Sequence, residues 1–314
     1  MAERYEPWIP YAARRLWRHL GWLRTQGLAR LIEEDQLNPV ERAAKAVNKW
    51  RWRMTHRPQP EGARPAFLVG LQRSGTNIMV RGLEHAPEFQ VYNENHSAAF
   101  WRFRLRPDPV IRRLVDDSRH PYVLFKPLCD SHRTPELLDG LQTRLPGRAL
   151  WVYRSVEGRT RSAVAKFGDA NLRALGEIAT GVHDRWEAQR LSPESLDLIA
   201  SFDWTKMSAA SAAALFWYVR NRLYFELGLA DRSDVQLVSY DAMVDDPETE
   251  MRRICGFLDF PYHSRLIAHV APRSSARPGS LDLHPRIKAR CDELTAQLDR
   301  AHRQHQPAKL TRDG

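Results

Sequence analysis

The sequence is short of several things, and each shortage closes off a class of function. Its three cysteines, Cys129, Cys255 and Cys291, are odd in number and scattered, so neither a disulfide framework nor a cysteine-rich zinc site is expected. No stretch of roughly 18 residues is apolar throughout, and the first residues lack the unbroken apolar segment of a secretory signal. A cytoplasmic protein, peripheral to a membrane at most, is the expectation. No repeat of roughly 20 to 50 residues and no low-complexity block occurs, which removes solenoids and arrays.

What is present is a basic chain of 314 residues with a formal charge of +10, long enough for one sizeable α/β domain with additions. Residues 1–64 hold thirteen Lys/Arg against seven Asp/Glu, which implies an anionic partner or surface. Within them, Leu16, Leu20, Leu23, Leu28, Leu31 and Ile32 recur at helical spacing between Arg14, Arg15, Arg18, Arg24 and Arg30. This is the pattern of a basic amphipathic helix, weakened by Gly21 and Gly27. An accessory helix packed on the core or on a partner is the favoured reading. The other is a helix lying on an anionic membrane surface, with Trp17 and Trp22 at the interface. No nucleic-acid partner is expected. A second basic stretch, NKWRWRMTHRPQPEGARP, runs into a Pro-containing linker. The expected organisation is therefore a basic helical N-terminal extension over 1–64 and a catalytic domain over 65–314.

From residue 66 short β-rich apolar runs alternate with helical patterns. Strands are expected near 66–70, 89–93, 122–126, 149–153 and 235–239, forming a parallel sheet covered by helices on both faces. A largely helical insert should fill 170–230, with Trp217, Tyr218 and Tyr224 in the core. Pro247 after Asp246 marks a helix start, and a last helix precedes a polar tail.

The densest signal is AFLVGLQRSGTNIMV at 66–80. An apolar strand breaks at Gly70 into a loop that reopens as a helix after Gly75, the layout of a phosphate cradle. In nucleotide-hydrolysing loops of this spacing a Lys follows the second Gly. Here Thr76 holds that place and the cation, Arg73, lies inside the loop, which suits a phosphate-like group without a γ-phosphate and without metal. A P-loop nucleotide kinase is the rival reading.

The string QRSGTN after FLVGL resembles the 5′-phosphosulfate loop of PAPS-dependent sulfotransferases. YRSVEGRTRSAV at 153–164 is similar to that family's 3′-phosphate segment, and VQLVSYDAMVDDPETEMRRICGFLDFPY at 235–262 to its C-terminal strand, acidic turn and helix. The resemblance implies a P-loop-like three-layer α/β sandwich with a central parallel sheet, a helical insert and an N-terminal helical extension. It implies PAPS as sulfuryl donor, no metal, and a hydroxyl-bearing acceptor. A saccharide or glycolipid acceptor is preferred to a tyrosyl peptide or a small alcohol. The spellings GTN and RS depart from the commoner TT and RNP of the family, which leaves the subfamily open.

Polar residues just beyond strand ends are the ones to examine in such a sheet. By resemblance Arg73, Ser74, Gly75, Thr76 and Asn77 hold the donor's phosphosulfate, and Arg154 and Ser162 its 3′-phosphate, with Arg159 and Arg161 in reach or on a solvated helix face. Tyr240 and the tract containing Arg273, Ser275 and Arg277 complete the donor site. Glu94 is the preferred general base, with His96 the alternative. Arg73 and Lys126 are the cations for charge developing on the leaving group, although a strand-end Lys can equally be a solvated charge. Residues 96–107, HSAAFWRFRLRP, either line the acceptor site through Phe100, Trp101, Phe103, Arg102, Arg104 and Arg106 or form an amphipathic helix.

Overall fold

The computed structural model describes residues 39–57, 59–270 and 281–304. The chain divides into two compact units, 1–56 and 57–314. The described part of the first is a helix, α1 (Pro39–Thr55). The amphipathic pattern over 11–35 lies outside the described residues.

In the second unit five strands, β1 (Arg64–Gly70), β2 (Phe89–Tyr92), β5 (Tyr122–Phe125), β6 (Arg148–Tyr153) and β7 (Val235–Ser239), form one sheet. Its order is β2-β5-β1-β6-β7, and every pairing is parallel. All five expected strands are there, each bound within two residues. A separate two-residue hairpin, β3 (Phe100–Trp101) with β4 (Arg104–Leu105), is antiparallel.

The side-chain period of two sorts β1 between two layers. Phe67 and Val69 join Trp151, Tyr153 and Leu237 in one core, while Ala66 and Leu68 join Leu150, Val152 and Val238 in the other. The first core is closed by α8 (Ala209–Glu226) and α11 (Pro285–Gln304), the second by α2 (Thr76–His85) and α10 (Pro247–Leu258). The result is the expected three-layer α/β sandwich with strands buried on both faces. Helix α3 (Asp108–Asp116) follows the hairpin and α4 (Thr134–Asp139) follows β5.

The insert after β6 is helical, with α5 (Val156–Phe167), α6 (Ala170–Ala179), α7 (Pro193–Ala200) and α8. Trp217, Tyr218 and Tyr224 are buried in it. A short helix, α9 (Tyr240–Asp245), follows β7. Helix α10 begins at Pro247, where the Asp246 side chain accepts from the Thr249 N–H, as the sequence suggests. Parallel pairing puts the carboxyl ends of all five strands on one edge, with the loop after the central strand β1 in the middle.

Candidate active site

The loop from Leu71 to Gly75 is built by left-handed backbone. Gly70 has φ +117°, Arg73 φ +70° and Gly75 φ +88°. Gly75 is also where a side chain has no room, since a Cβ there would lie 1.8 Å from the Tyr240 ring. A Cβ on Gly70 would meet the Val152 carbonyl oxygen at 2.3 Å. The first turn of α2 contains no acidic residue, and no side chain caps it. The Thr76 and Asn77 N–H groups are therefore available to an anion, while the Ile78 N–H donates to the Gly75 carbonyl at 3.0 Å. Ser74 is fully buried, and its Oγ has no hydrogen-bond partner among the described residues. A buried hydroxyl left so beside an uncapped helix start fits a bound anion that supplies the missing partner.

Both sides of the loop are braced. Arg73 Nε donates to Ser162 Oγ on α5 at 2.9 Å. Arg154, just beyond β6, stacks its guanidinium 4.4 Å from the Tyr240 ring centroid, and its Nη1 reaches the Arg73 carbonyl at 3.5 Å. Arg73, Gly75, Arg154, Ser162 and Tyr240, drawn from three strand ends and a helix, thus converge. Thr76 is buried in the opening turn of α2, whereas Asn77 is exposed.

On the other side of β1, Lys126 lies just beyond β5 and Glu94 follows β2. Lys126 Nζ lies 3.0 Å from Glu94 Oε1 and donates to Asn77 Oδ1 at 2.7 Å. Lys126 is buried, so the reading of a solvated strand-end charge is corrected. The next side chain, Asn93, donates to Glu84 Oε1 at 3.1 Å, which ties the loop carrying Glu94 to α2. His96 is largely exposed. Its ring meets Tyr92 edge-on at 4.8 Å, desolvation on that side pushes its pKa below the ordinary histidine value, and its Nδ1 accepts from the Ala98 N–H. Arg273, Ser275 and Arg277 lie outside the described residues.

Two sequence readings are corrected here. Residues 96–107 do not form a helix: Phe100 to Leu105 make a tight hairpin whose central residues, Arg102 and Phe103, both have positive φ, the geometry of a type I′ turn. Arg104 does not point to an acceptor, because it pairs with the buried Asp130 at 2.6 Å. Asp130 also accepts from the Leu105 N–H at 2.7 Å, and that anchor makes the hairpin. The second correction concerns Arg159, which is buried on the inner face of α5 rather than solvated. It donates to the carbonyls of Ala213 and Gln72 and to Asn171 Oδ1. Burial and the nearby Arg73 charge push its pKa down to about 9.

Other positioning residues escaped the sequence reading. Ser131, in the 3-10 turn Leu128–Arg133, has its Oγ 2.9 Å from the Gly70 N–H, which it accepts, and 2.7 Å from the Gly70 carbonyl. Trp217 Nε1 donates to the Arg154 carbonyl at 2.8 Å. Asp241 accepts from the Ser155 N–H at 2.6 Å. Each holds a strand end, so that the loop arginines are set by the packed layer behind them.

No family model matches the chain, and no curated protein matches it. Among solved structures it is similar to a sulfotransferase from Alicyclobacillus acidocaldarius, 17% identical over 80% of this chain and 98% of that one, with a TM-score of 0.39. It is also similar to the sulfotransferase domain of the Synechococcus PCC 7002 olefin synthase, 12% identical over 76% of this chain and 98% of that one, with a TM-score of 0.38.

Proposed function

We propose that this protein is a sulfotransferase that moves a sulfuryl group from PAPS to an acceptor hydroxyl. The observation that carries the reading is the cradle itself, in which Arg73 is drawn to Ser162 of α5 while the buried Ser74 hydroxyl and the uncapped start of α2 are left for an anion. A triphosphate loop would set a Lys where Thr76 stands.

The donor, when bound, supplies a sulfuryl group linked to a phosphate leaving group. The N–H groups opening α2, with Ser74 Oγ and Arg73, would hold its phosphosulfate. Arg154, kept flat by Tyr240, and Ser162 would hold its 3′-phosphate, and a planar guanidinium suits that task because it grips two oxygens at once. Glu94 takes the acceptor hydroxyl's proton as that oxygen bonds to sulfur and the bond from sulfur to the phosphate oxygen breaks. Arg73 and Lys126 balance the charge gathering on the departing phosphate.

The acceptor we favour is a saccharide. Trp101 and Phe103, half-buried on the hairpin that follows Glu94, offer ring faces of the kind sugars stack on. The test is transfer of labelled sulfate from PAPS to a panel of glycans, tyrosyl peptides and simple alcohols. Transfer that is lost in Glu94→Gln supports the reading, and transfer from Mg-ATP of a phosphoryl group instead would replace it with the kinase.

A further inference from the structure

Among the described residues five large apolar side chains are exposed, namely Val47, Trp50, Met54, Phe167 and Val182. The last two stand singly, as scattered surface apolars do in any protein. The first three belong to one helix, α1, with exposures of 54%, 56% and 69%. They recur at i, i+3 and i+7, and at about 100° per residue they fall within about 60° of arc, with Ala43 between them. Such a stripe has the spacing of a helix face made to be covered.

Charge tells what would cover it. From Ala43 to Arg57 the chain carries Lys45, Lys49, Arg51, Arg53 and Arg57 and no acidic residue. On the helix wheel Arg51 borders the stripe on one side and Arg53 stands beyond the other, with Lys45 and Lys49 behind. A second copy docking stripe to stripe would bring together two helices that each hold five Lys or Arg against the single acid Glu41, which like-charge repulsion opposes. A nucleic acid would use the cations and leave Val47, Trp50 and Met54 in water. An anionic lipid surface satisfies both sets, since the acyl boundary takes the apolar stripe and Trp50, and the headgroups take the cations on their long stems. The helix is also too polar to enter further, and among the described residues no helix is long and apolar enough to cross a membrane.

We infer that α1 docks on an anionic phospholipid surface, lying in the interface with Val47, Trp50 and Met54 inserted and the flanking Lys and Arg on headgroups. This attachment is independent of the donor site, whose residues all belong to 57–314.

The experiment is sedimentation of the full chain with vesicles of phosphatidylcholine alone and of phosphatidylcholine mixed with phosphatidylglycerol. The protein pellets with the mixed vesicles, not with the neutral ones, and is released at high salt. Two double variants separate the contributions: Trp50→Ser with Met54→Ser keeps every charge, and Lys49→Glu with Arg53→Glu keeps the stripe. Each weakens partitioning by at least about tenfold, while binding of adenosine 3′,5′-bisphosphate stays at the wild-type level and certifies the fold of the larger unit. No pelleting of the wild type overturns the inference. So does full binding by the Trp50/Met54 variant, which would mean the stripe does not insert. Stripe-dependent self-association, or binding to duplex DNA with no binding to lipid, would assign α1 to another partner and overturn it as well.

Discussion

Lys126 and Glu94 face each other across the gap between two neighbouring strand ends, Nζ to Oε1 at 3.0 Å, and the same ammonium holds Asn77 at the start of α2. One buried cation therefore fixes the proposed base relative to the loop that would receive the donor. Because the carboxylate is tethered at its end rather than along its stem, it keeps an oxygen for an acceptor hydroxyl.

Glu94→Gln keeps the shape and the tie to Lys126 but cannot accept a proton. Turnover falls by about 10²- to 10⁴-fold, with the affinity for adenosine 3′,5′-bisphosphate unchanged. Steady-state kinetics beside calorimetry checks this. Loss of nucleotide affinity in step with turnover would make Glu94 a structural residue.

Gly75→Ala is predicted to damage loop and fold together. The added methyl would meet the Tyr240 ring, and φ +88° is strained for any residue with a Cβ. The melting temperature falls by about 5 °C and bisphosphate affinity by about tenfold or more, measured by calorimetry on the same samples. Tyr240→Ala in the same chain restores stability in part, since it relieves the collision but not the backbone strain.

Ser131→Ala leaves the Gly70 N–H buried without its acceptor. An unsatisfied buried amide costs about 1–3 kcal/mol, which urea unfolding would register as a lower midpoint at unchanged slope. The KM for the donor rises, because the same hydroxyl sets where the loop begins.

His132 gives the protein an acid-sensitive core. It is buried, and desolvation, reinforced by Arg220, Arg104 and Arg133, pushes its pKa down to about 3. In the unfolded chain it titrates near pH 6.5. Between those values the unfolded state binds a proton that the folded state refuses, so stability falls as pH drops from about 6.5 towards 3, by up to about 1.4 kcal/mol per pH unit. Below about pH 3 this contribution stops changing. Replacing His132 with Gln makes the slope shallower, as urea midpoints across that range would reveal.

Three strands, β1, β5 and β6, were legible as apolar runs closed by Gly70, Lys126 and Arg154, the pattern of strands covered on both faces, while β2 and β7 are mixed runs with a Gln in each and were placed by the alternation of strand and helix patterns. Gly70 and Gly75 announce a turning loop by residue type alone. The braces behind it could not be read. Ser131, Asp130 and His132 sit in a six-residue 3-10 turn, too short for any periodicity, and look like a polar loop until the hairpin and Gly70 close over them. The hairpin escaped because Arg102 and Phe103 occupy positions where Asn-Gly is the usual signal, and Asp130, distant in sequence, holds them there. Arg159 reads as surface by composition, yet three neutral oxygens from distant segments replace water around it.

The most direct measurement is calorimetric titration with adenosine 3′,5′-bisphosphate in the absence of metal, run beside Mg-ATP and repeated with Arg154→Ala. Tight binding of the bisphosphate, weak binding of Mg-ATP, and a loss of about tenfold or more in the variant are predicted. Preference for Mg-ATP, or no binding of the bisphosphate, would contradict the sulfotransferase reading.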